Sequence, residues 1–185
     1  MSKAFAFSCV LVLAAQPALA TVKHHAAAHP APAAATAPPA PAPAALPADA
    51  DAAFTAAGMV KKAGHWTGCP DDDNGVAQVE PGDYRDLNGD GSADMIINDY
   101  SGYCYGNTGQ GFFVVTKVSG KWTKLYNSPG IATFLPTKVK TPGGWPDVEV
   151  GGPGFCFPVL RWSGKDYVFL RNHEYDKGAC KREGM

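Results

Sequence analysis

The chain is predicted to be mainly β. It should form two blade-like antiparallel β units, arranged as a small sheet or sandwich and not a closed propeller, with a short helix at the start of the globular part. Three observations predict this. From Gly64 onward, short runs of β-branched and aromatic residues alternate with Gly, Pro and Asx clusters. Two segments of that region echo each other: Asp94-Met95-Ile96-Ile97 with Asp147-Val148-Glu149-Val150, Cys104 with Cys156, and Ser119-Gly120-Lys121 with Ser163-Gly164-Lys165. The offsets are 53, 52 and 44 residues, near the period of propeller blades. The copies cover about residues 80–126 and 130–171, with an insertion around Tyr103–Gly111 in the first. Two copies cannot close a ring that takes about four to eight blades.

The rest of the chain frames that domain. Residues 1–20 read as a secretory signal peptide: Lys3, an apolar run from Ala4 to Ala15, and the small-x-small site Ala18-Leu19-Ala20. Cys9 raises a lipoprotein alternative, but Ala6-Phe7-Ser8 makes a poor lipidation box and the apolar run continues past it. Residues 21–52 are almost entirely Ala and Pro. Such composition buries too little apolar area to offset ordering entropy and reads as a disordered linker. His24, His25 and His29 stand in it with no fold to hold their imidazoles for a metal. The globular domain is expected over 53–185, opening with a helix over 53–62 that Asp51 caps and Lys61 and Lys62 end. Phe54, Ala57 and Met59 would face the sheet.

Charge excludes some partners. Sixteen Lys and Arg against 17 Asp and Glu give a formal charge of −1, with the signs interspersed. No basic block marks a nucleic-acid site. After the signal, no apolar run is long enough for a membrane span.

The stretch with the clearest chemistry is Asp86-Leu87-Asn88-Gly89-Asp90-Gly91-Ser92-Ala93-Asp94. Oxygen-bearing residues recur at alternate positions: Asp86, Asn88, Asp90, Ser92 and Asp94. A hard cation such as Ca2+ takes about six to eight oxygens. The carboxylates of Asp86, Asp90 and Asp94, the Asn88 amide oxygen and the Ser92 carbonyl are the candidate ligands. A plain hairpin turn needs one or two such residues, not four at alternate positions. An EF-hand is excluded, because its bidentate Glu falls where this chain has Ile97. The loop instead feeds a β-prone run, Met95-Ile96-Ile97. The second copy reads Lys140-Thr141-Pro142-Gly143-Gly144-Trp145 at this place, so one calcium site is expected.

Asp-x-Asn-x-Asp-Gly-x-x-Asp before a strand resembles the calcium loops of FG-GAP/VCBS-type, integrin-like β-propeller repeats. Cys104-Tyr105-Gly106-Asn107-Thr108-Gly109 and Gly144-Trp145-Pro146-Asp147 through Trp162 resemble small secreted bacterial proteins of that type. The resemblance implies a calcium-bearing β repeat and no particular activity.

Four cysteines follow the signal: Cys69, Cys104, Cys156 and Cys180. An even number in an exported chain argues for two disulfides. Three connectivities are possible; the repeat favours Cys104–Cys156 with Cys69–Cys180. No Cys-x-x-Cys pair points to zinc.

Catalysis has little support in the sequence. The globular part holds His65 and His173. His173-Glu174-Tyr175-Asp176 groups an imidazole with two carboxylates, either a general base with its orienting acid or a polar strand end. No Gly-x-Ser-x-Gly elbow is present. Pro70-Asp71-Asp72-Asp73-Asn74-Gly75 is a second acidic turn, read as a solvated loop. Pro158 argues for an edge strand or a bulge. Tyr103, Tyr105, Phe155, Phe157 and Trp162 are either core or a possible binding surface.

The expected role is an exported calcium-binding, disulfide-stabilised binding or structural module, periplasmic or secreted, engaging an unknown protein or cell-envelope component. The alternatives are a calcium-dependent periplasmic hydrolase, or an inhibitor of a cell-wall-degrading enzyme.

Overall fold

The computed structural model describes residues 45–184, all within one unit, Pro41–Met185. The signal peptide, most of the linker, Cys9, and the three linker histidines lie outside the described residues.

Helix α1 runs Ala50–Ala57, earlier than expected, and the chain is already strand at β1, Val60–Lys62. Gly58 lies inside the expected helix span, where a glycine weakens a helix. It is instead the terminator: at φ +88° it occupies the left-handed region and its N–H reaches the carbonyls of Phe54 and Thr55. The N-cap position is Asp49, and Asp51 sits in the first turn. Both carboxylates tie the helix to the sheet, Asp49 accepting from the Trp122 indole and Asp51 from the Trp66 indole. Phe54, Ala57 and Met59 are buried, and Phe54 stacks on Trp66 with centroids 5.4 Å apart.

After β1 come β2 (His65–Thr67), β3 (Val76–Gln78), β4 (Tyr84–Arg85), β5 (Asp94–Tyr100), β6 (Gln110–Val118) and β7 (Lys121–Pro129). They form a seven-stranded antiparallel sheet in the order β1-β2-β3-β5-β6-β7, with β4 also pairing β5. The chain leaves this sheet at Gly130. Its φ is +126°, and a Cβ there would lie 2.4 Å from Val150, so only glycine makes this crossing. Strands β8 (Ile131–Leu135), β9 (Asp147–Gly151), β10 (Cys156–Trp162) and β11 (Tyr167–Glu174) form the second sheet, in the order β11-β10-β9-β8.

The two sheets stack. Alternate residues of a strand face opposite sides, and the clusters assign the sides. Met95, Ile97 and Val115 pack against Ala53, Phe54 and Ala57 of α1. Ile96, Phe112 and Val114 pack against Trp145, Val148, Trp162 and Tyr167 of the second sheet. The architecture is therefore helix, sheet, sheet, a small sandwich with a short helix.

The same pairing pattern occurs twice. In β5–β6–β7, Met95 faces Val115 and Ile96 faces Val114, with a bulge at Val114/Val115. In β9–β10–β11, Val148 faces Leu160 and Glu149 faces Val159, with a bulge at Val159/Leu160. Both hairpins turn where the Ser-Gly-Lys echo lies. Ser119 and Gly120 both take positive φ, 51° and 78°, as a two-residue hairpin turn demands. Pro158 lies in an internal strand and not at an edge, one residue before the bulge at Val159/Leu160, the other placement expected for it. It is tolerated because the pairing of β10 with β9 begins only at Val159, so its missing N–H breaks no ladder there.

The disulfides differ from the expected pairing. They are Cys69–Cys104 and Cys156–Cys180, separated by 35 and 24 residues. Strand pairing explains this. β3 is hydrogen-bonded to β5 from Val76–Tyr100 onward, which carries Cys69 to the segment just after β5, where Cys104 sits on the short helix α2 (Gly102–Tyr105). Glu174 at the end of β11 lies opposite Cys156, and the turn into the C-terminal helix α3 (Ala179–Arg182) then brings Cys180 back to it. Each bridge closes within its own sheet and none crosses between the echoing segments.

Candidate functional site

The Asp86–Asp94 loop joins β4 to β5, at the end of the first sheet where β5 begins. Its side chains fold back on its own backbone. Asp86 accepts the N–H groups of Gly89 at 2.7 Å and Gly91 at 2.9 Å. Asn88 Oδ1 accepts the Asp90 N–H, and Asp90 Oδ1 accepts the Ser92 N–H. Gly89 and Gly91 take φ of +77° and +86°, which lets the loop coil this tightly. These N–H groups, that of Gly91 foremost, hold the Asp86 carboxyl below the ordinary carboxylate range.

Asp94 is different. It is completely buried. Its Oδ2 accepts the Leu87 N–H at 2.9 Å, which places the carboxylate against the start of the loop. Its Oδ1 has no hydrogen-bond partner among the described residues. Burial pushes its pKa up, the Thr116 hydroxyl and the Leu87 N–H act the other way, and the charges of Asp90 and Asp86 raise it further. An unpaired, fully buried carboxylate oxygen is costly, and here it lies within the field of two other carboxylates. The ligand candidates are thus adjacent, but among the described residues no three His, Cys, Asp or Glu side chains converge closely enough to form a metal centre by themselves.

A contrasting arrangement exists on the second sheet. Asp147 opens β9 as Asp94 opens β5, and continuing the two registers sets Thr116 opposite Asp94 and Arg161 opposite Asp147. Both Asp147 oxygens are taken by Arg161, at 2.8 and 2.7 Å.

The loop also touches the Lys140–Trp145 segment. The Asn88 carbonyl packs on Gly144, where an added Cβ would lie 2.2 Å from that oxygen. An open groove beside it is lined by Thr137, Lys138, Val139, Lys140, Thr141 and Gly144.

His173 has an acid partner, but neither Glu174 nor Asp176 as the sequence suggested. Glu174 accepts main-chain N–H groups of Gly178 and Cys180, and Asp176 pairs with Arg182. The partner is Glu149, whose carboxylate is 3 % exposed; it meets His173 Nδ1 and also accepts the Tyr175 hydroxyl at 2.7 Å. Sequence reading missed Glu149 because it lies in β9, two strands away. Its signal was a charged residue in Asp147-Val148-Glu149-Val150 where the echoing Asp94-Met95-Ile96-Ile97 has Ile96. This trio occupies the face of the second sheet turned away from Val148, Trp162 and the inter-sheet core, and His173 does not line the groove beside the Asp86–Asp94 loop.

The acidic turn does not converge either. Asp72 is spent on the Asn74 N–H and the Ser101 hydroxyl, and Asp73 pairs with Lys62. A second fully buried carboxylate, Asp99, accepts the Tyr105 hydroxyl at 2.7 Å beside the Cys69–Cys104 bridge. Burial foremost, and then the bond to Asp99, keep that hydroxyl protonated well beyond the usual tyrosine range.

The five aromatics divide. Tyr103 and Phe155 are 74 % and 58 % exposed. Tyr105 and Phe157 are half-buried, one against Gly111 and the other edge-on to Tyr175. Trp162 is in the core between the sheets. No family model, curated protein or solved structure matches the chain. Among the described residues, no helix is long and apolar enough to cross a membrane. The two disulfides suggest an oxidising, extracellular compartment.

Proposed function

We propose that this chain is an exported module braced by calcium at Asp86–Asp94, which binds or supports a protein or cell-envelope component. The observation that carries the reading is Asp94: its Oδ1, like that of Asp99, has no partner among the described residues, and its other oxygen is held at the start of a loop of oxygen donors. A carboxylate oxygen buried at the mouth of an acidic loop calls for a positive partner. The donors around it, from Asp86, Asn88, Asp90 and the Ser92 carbonyl, are all oxygen, which suits a hard cation. Asp86 and Asp90 retain lone pairs beyond those used on main-chain N–H groups. The comparison with Asp147 supports the same reading: Arg161 neutralises that strand-opening aspartate, while Asp94 faces only a threonine. The matching registers of β5–β6–β7 and β9–β10–β11 support descent of both from one blade-like repeat, as in FG-GAP/VCBS proteins.

Export to the periplasm or beyond rests on the N-terminal signal pattern together with the disulfides. The partner surface would lie at the disulfide-held end, where Tyr103 and Phe155 are exposed on segments anchored by Cys104 and Cys156. A hydrolase is less well supported, because His173 does not line the groove beside the loop. The test is thermal melting. At 1 mM calcium and a dissociation constant of about 10⁻⁴ M, linkage gives about 1.4 kcal/mol, or about 4 °C for a domain of this size. Chelator should reverse the rise and Asp94→Asn should abolish it. A melting curve indifferent to calcium in the wild type overturns the reading.

A further inference from the structure

The same loop contains an Asn-Gly step, and its hydrogen bonds prepare a reaction of the chain with itself. We propose that Asn88 is a site of spontaneous deamidation, promoted by Asp86 and Asp90. The nucleophile is the main-chain nitrogen of Gly89. The electrophile is the side-chain carbonyl carbon of Asn88. Nothing crowds Gly89: an added Cβ would meet no atom within 4 Å. Its N–H donates to Asp86 Oδ1 at 2.7 Å, so a carboxylate already holds the hydrogen that must leave. The Asp90 N–H donates to Asn88 Oδ1 at 3.1 Å, so a fixed donor faces the oxygen on which charge develops. Asn88 Nδ2, the leaving nitrogen, donates to Asp90 Oδ2 at 3.1 Å.

The step balances without an oxidant or a cofactor. The bond from Gly89 N to Asn88 Cγ forms and the Asn88 Cγ–Nδ2 bond breaks. The hydrogen lost from Gly89 N ends on the departing nitrogen, which leaves as ammonia. Water then opens the succinimide at either carbonyl and yields aspartate or isoaspartate at position 88.

The chain carries its own comparison. Asn74-Gly75 is the same dipeptide, but Gly75 is buried and its N–H donates to the Asp72 carbonyl at 3.2 Å. A main-chain carbonyl accepts a hydrogen bond without taking the proton. Thr67 Oγ1 and Asp72 also crowd Gly75, lying 2.9 and 3.4 Å from an added Cβ.

The products change the loop in opposite ways. Aspartate at 88 adds a carboxylate to the candidate ligands. Isoaspartate adds a methylene to the main chain where the Asn88 carbonyl meets Gly144, and so drives the loop off that turn. The effect on cation binding rests on the calcium reading, while the reaction does not.

The test follows the oxidised full chain at neutral pH in chelator over several weeks, with peptide mass mapping at both Asn-Gly steps. Asn88 should gain one dalton several-fold faster than Asn74, and Asp86→Asn should bring Asn88 down to the Asn74 rate. Equal rates at the two steps in the wild type, or an unchanged Asn88 rate in Asp86→Asn, overturns the proposal. Because chelator is present throughout, the outcome is separate from the calcium melting experiment.

Discussion

Removing the Cys156–Cys180 bridge tests how the C-terminal segment is held. Cys156→Ala with Cys180→Ala avoids a free buried thiol. The bridge spans 24 residues, and the chain-entropy relation for a loop of that length gives about 3.5 kcal/mol. For a domain of this size that corresponds to a fall of about 10 °C in melting temperature. A local effect is added. Cys156, Ala179 and Cys180 form their own small cluster, apart from the two main cores. Without the bridge, α3 keeps few anchors: the Glu174 carboxylate on the Gly178 and Cys180 N–H groups, and Glu183 on the Phe155 N–H. The tail should therefore open before the sandwich does. Urea unfolding read by tryptophan fluorescence gives the global loss, and hydrogen exchange over residues 175–184 gives the local one. The Cys69–Cys104 pair, spanning 35 residues, should cost about 3.8 kcal/mol when removed. A loss under about 1 kcal/mol for the first pair, far below the loop-entropy value, would refute the reasoning. So would a non-reducing peptide map that links Cys104 to Cys156.

Two further outcomes follow from single positions. Gly144→Ala forces a side chain to 2.2 Å from the Asn88 carbonyl at a φ of +79°, so it should destabilise by at least about 2 kcal/mol and weaken any calcium response; equilibrium unfolding with and without calcium checks both. Asp83 is half-buried, and burial is the main cause that raises its pKa, against the opposing Asn98 bond and Arg85 charge. The folded state then holds the Asp83 proton more tightly than the unfolded state, so the ionised carboxyl costs stability at neutral pH and that cost disappears as pH falls through the folded pKa. Asp83→Asn should be more stable than wild type at pH 7, with the advantage vanishing in acid; urea midpoints across pH would refute this if the difference stayed constant.

The two Ser-Gly-Lys turns and the strand runs around them were legible because a turn's chemistry is local. The Asp86–Asp94 loop stood out for the same reason, since its oxygen-bearing residues lie within nine consecutive positions. The helix was legible in kind and displaced in register, because Gly58 can be read either as a weak interior residue or as a left-handed stop. Cysteine pairing was not legible. It depends on which strands neighbour β5 and β10, and equivalent places in two echoing segments need not lie within bonding distance.

By itself the sequence determined the β class, the places where the chain turns, and which short loop offers oxygen ligands. Each of these depends on residues within a few positions of one another. Tertiary structure alone decided that Asp94 is buried with a free oxygen while Asp147 is held by Arg161. It also joined His173 to Glu149 and not to its sequence neighbours, and placed Trp162 in the core while Phe155 stays exposed. Those outcomes depend on strand register and sheet stacking, which bring together residues that no local pattern relates. The Asp86–Asp94 loop belongs to both: its oxygen-bearing residues are readable in sequence, and the burial of Asp94 with an unpaired oxygen appears only when β5 is packed between its neighbours.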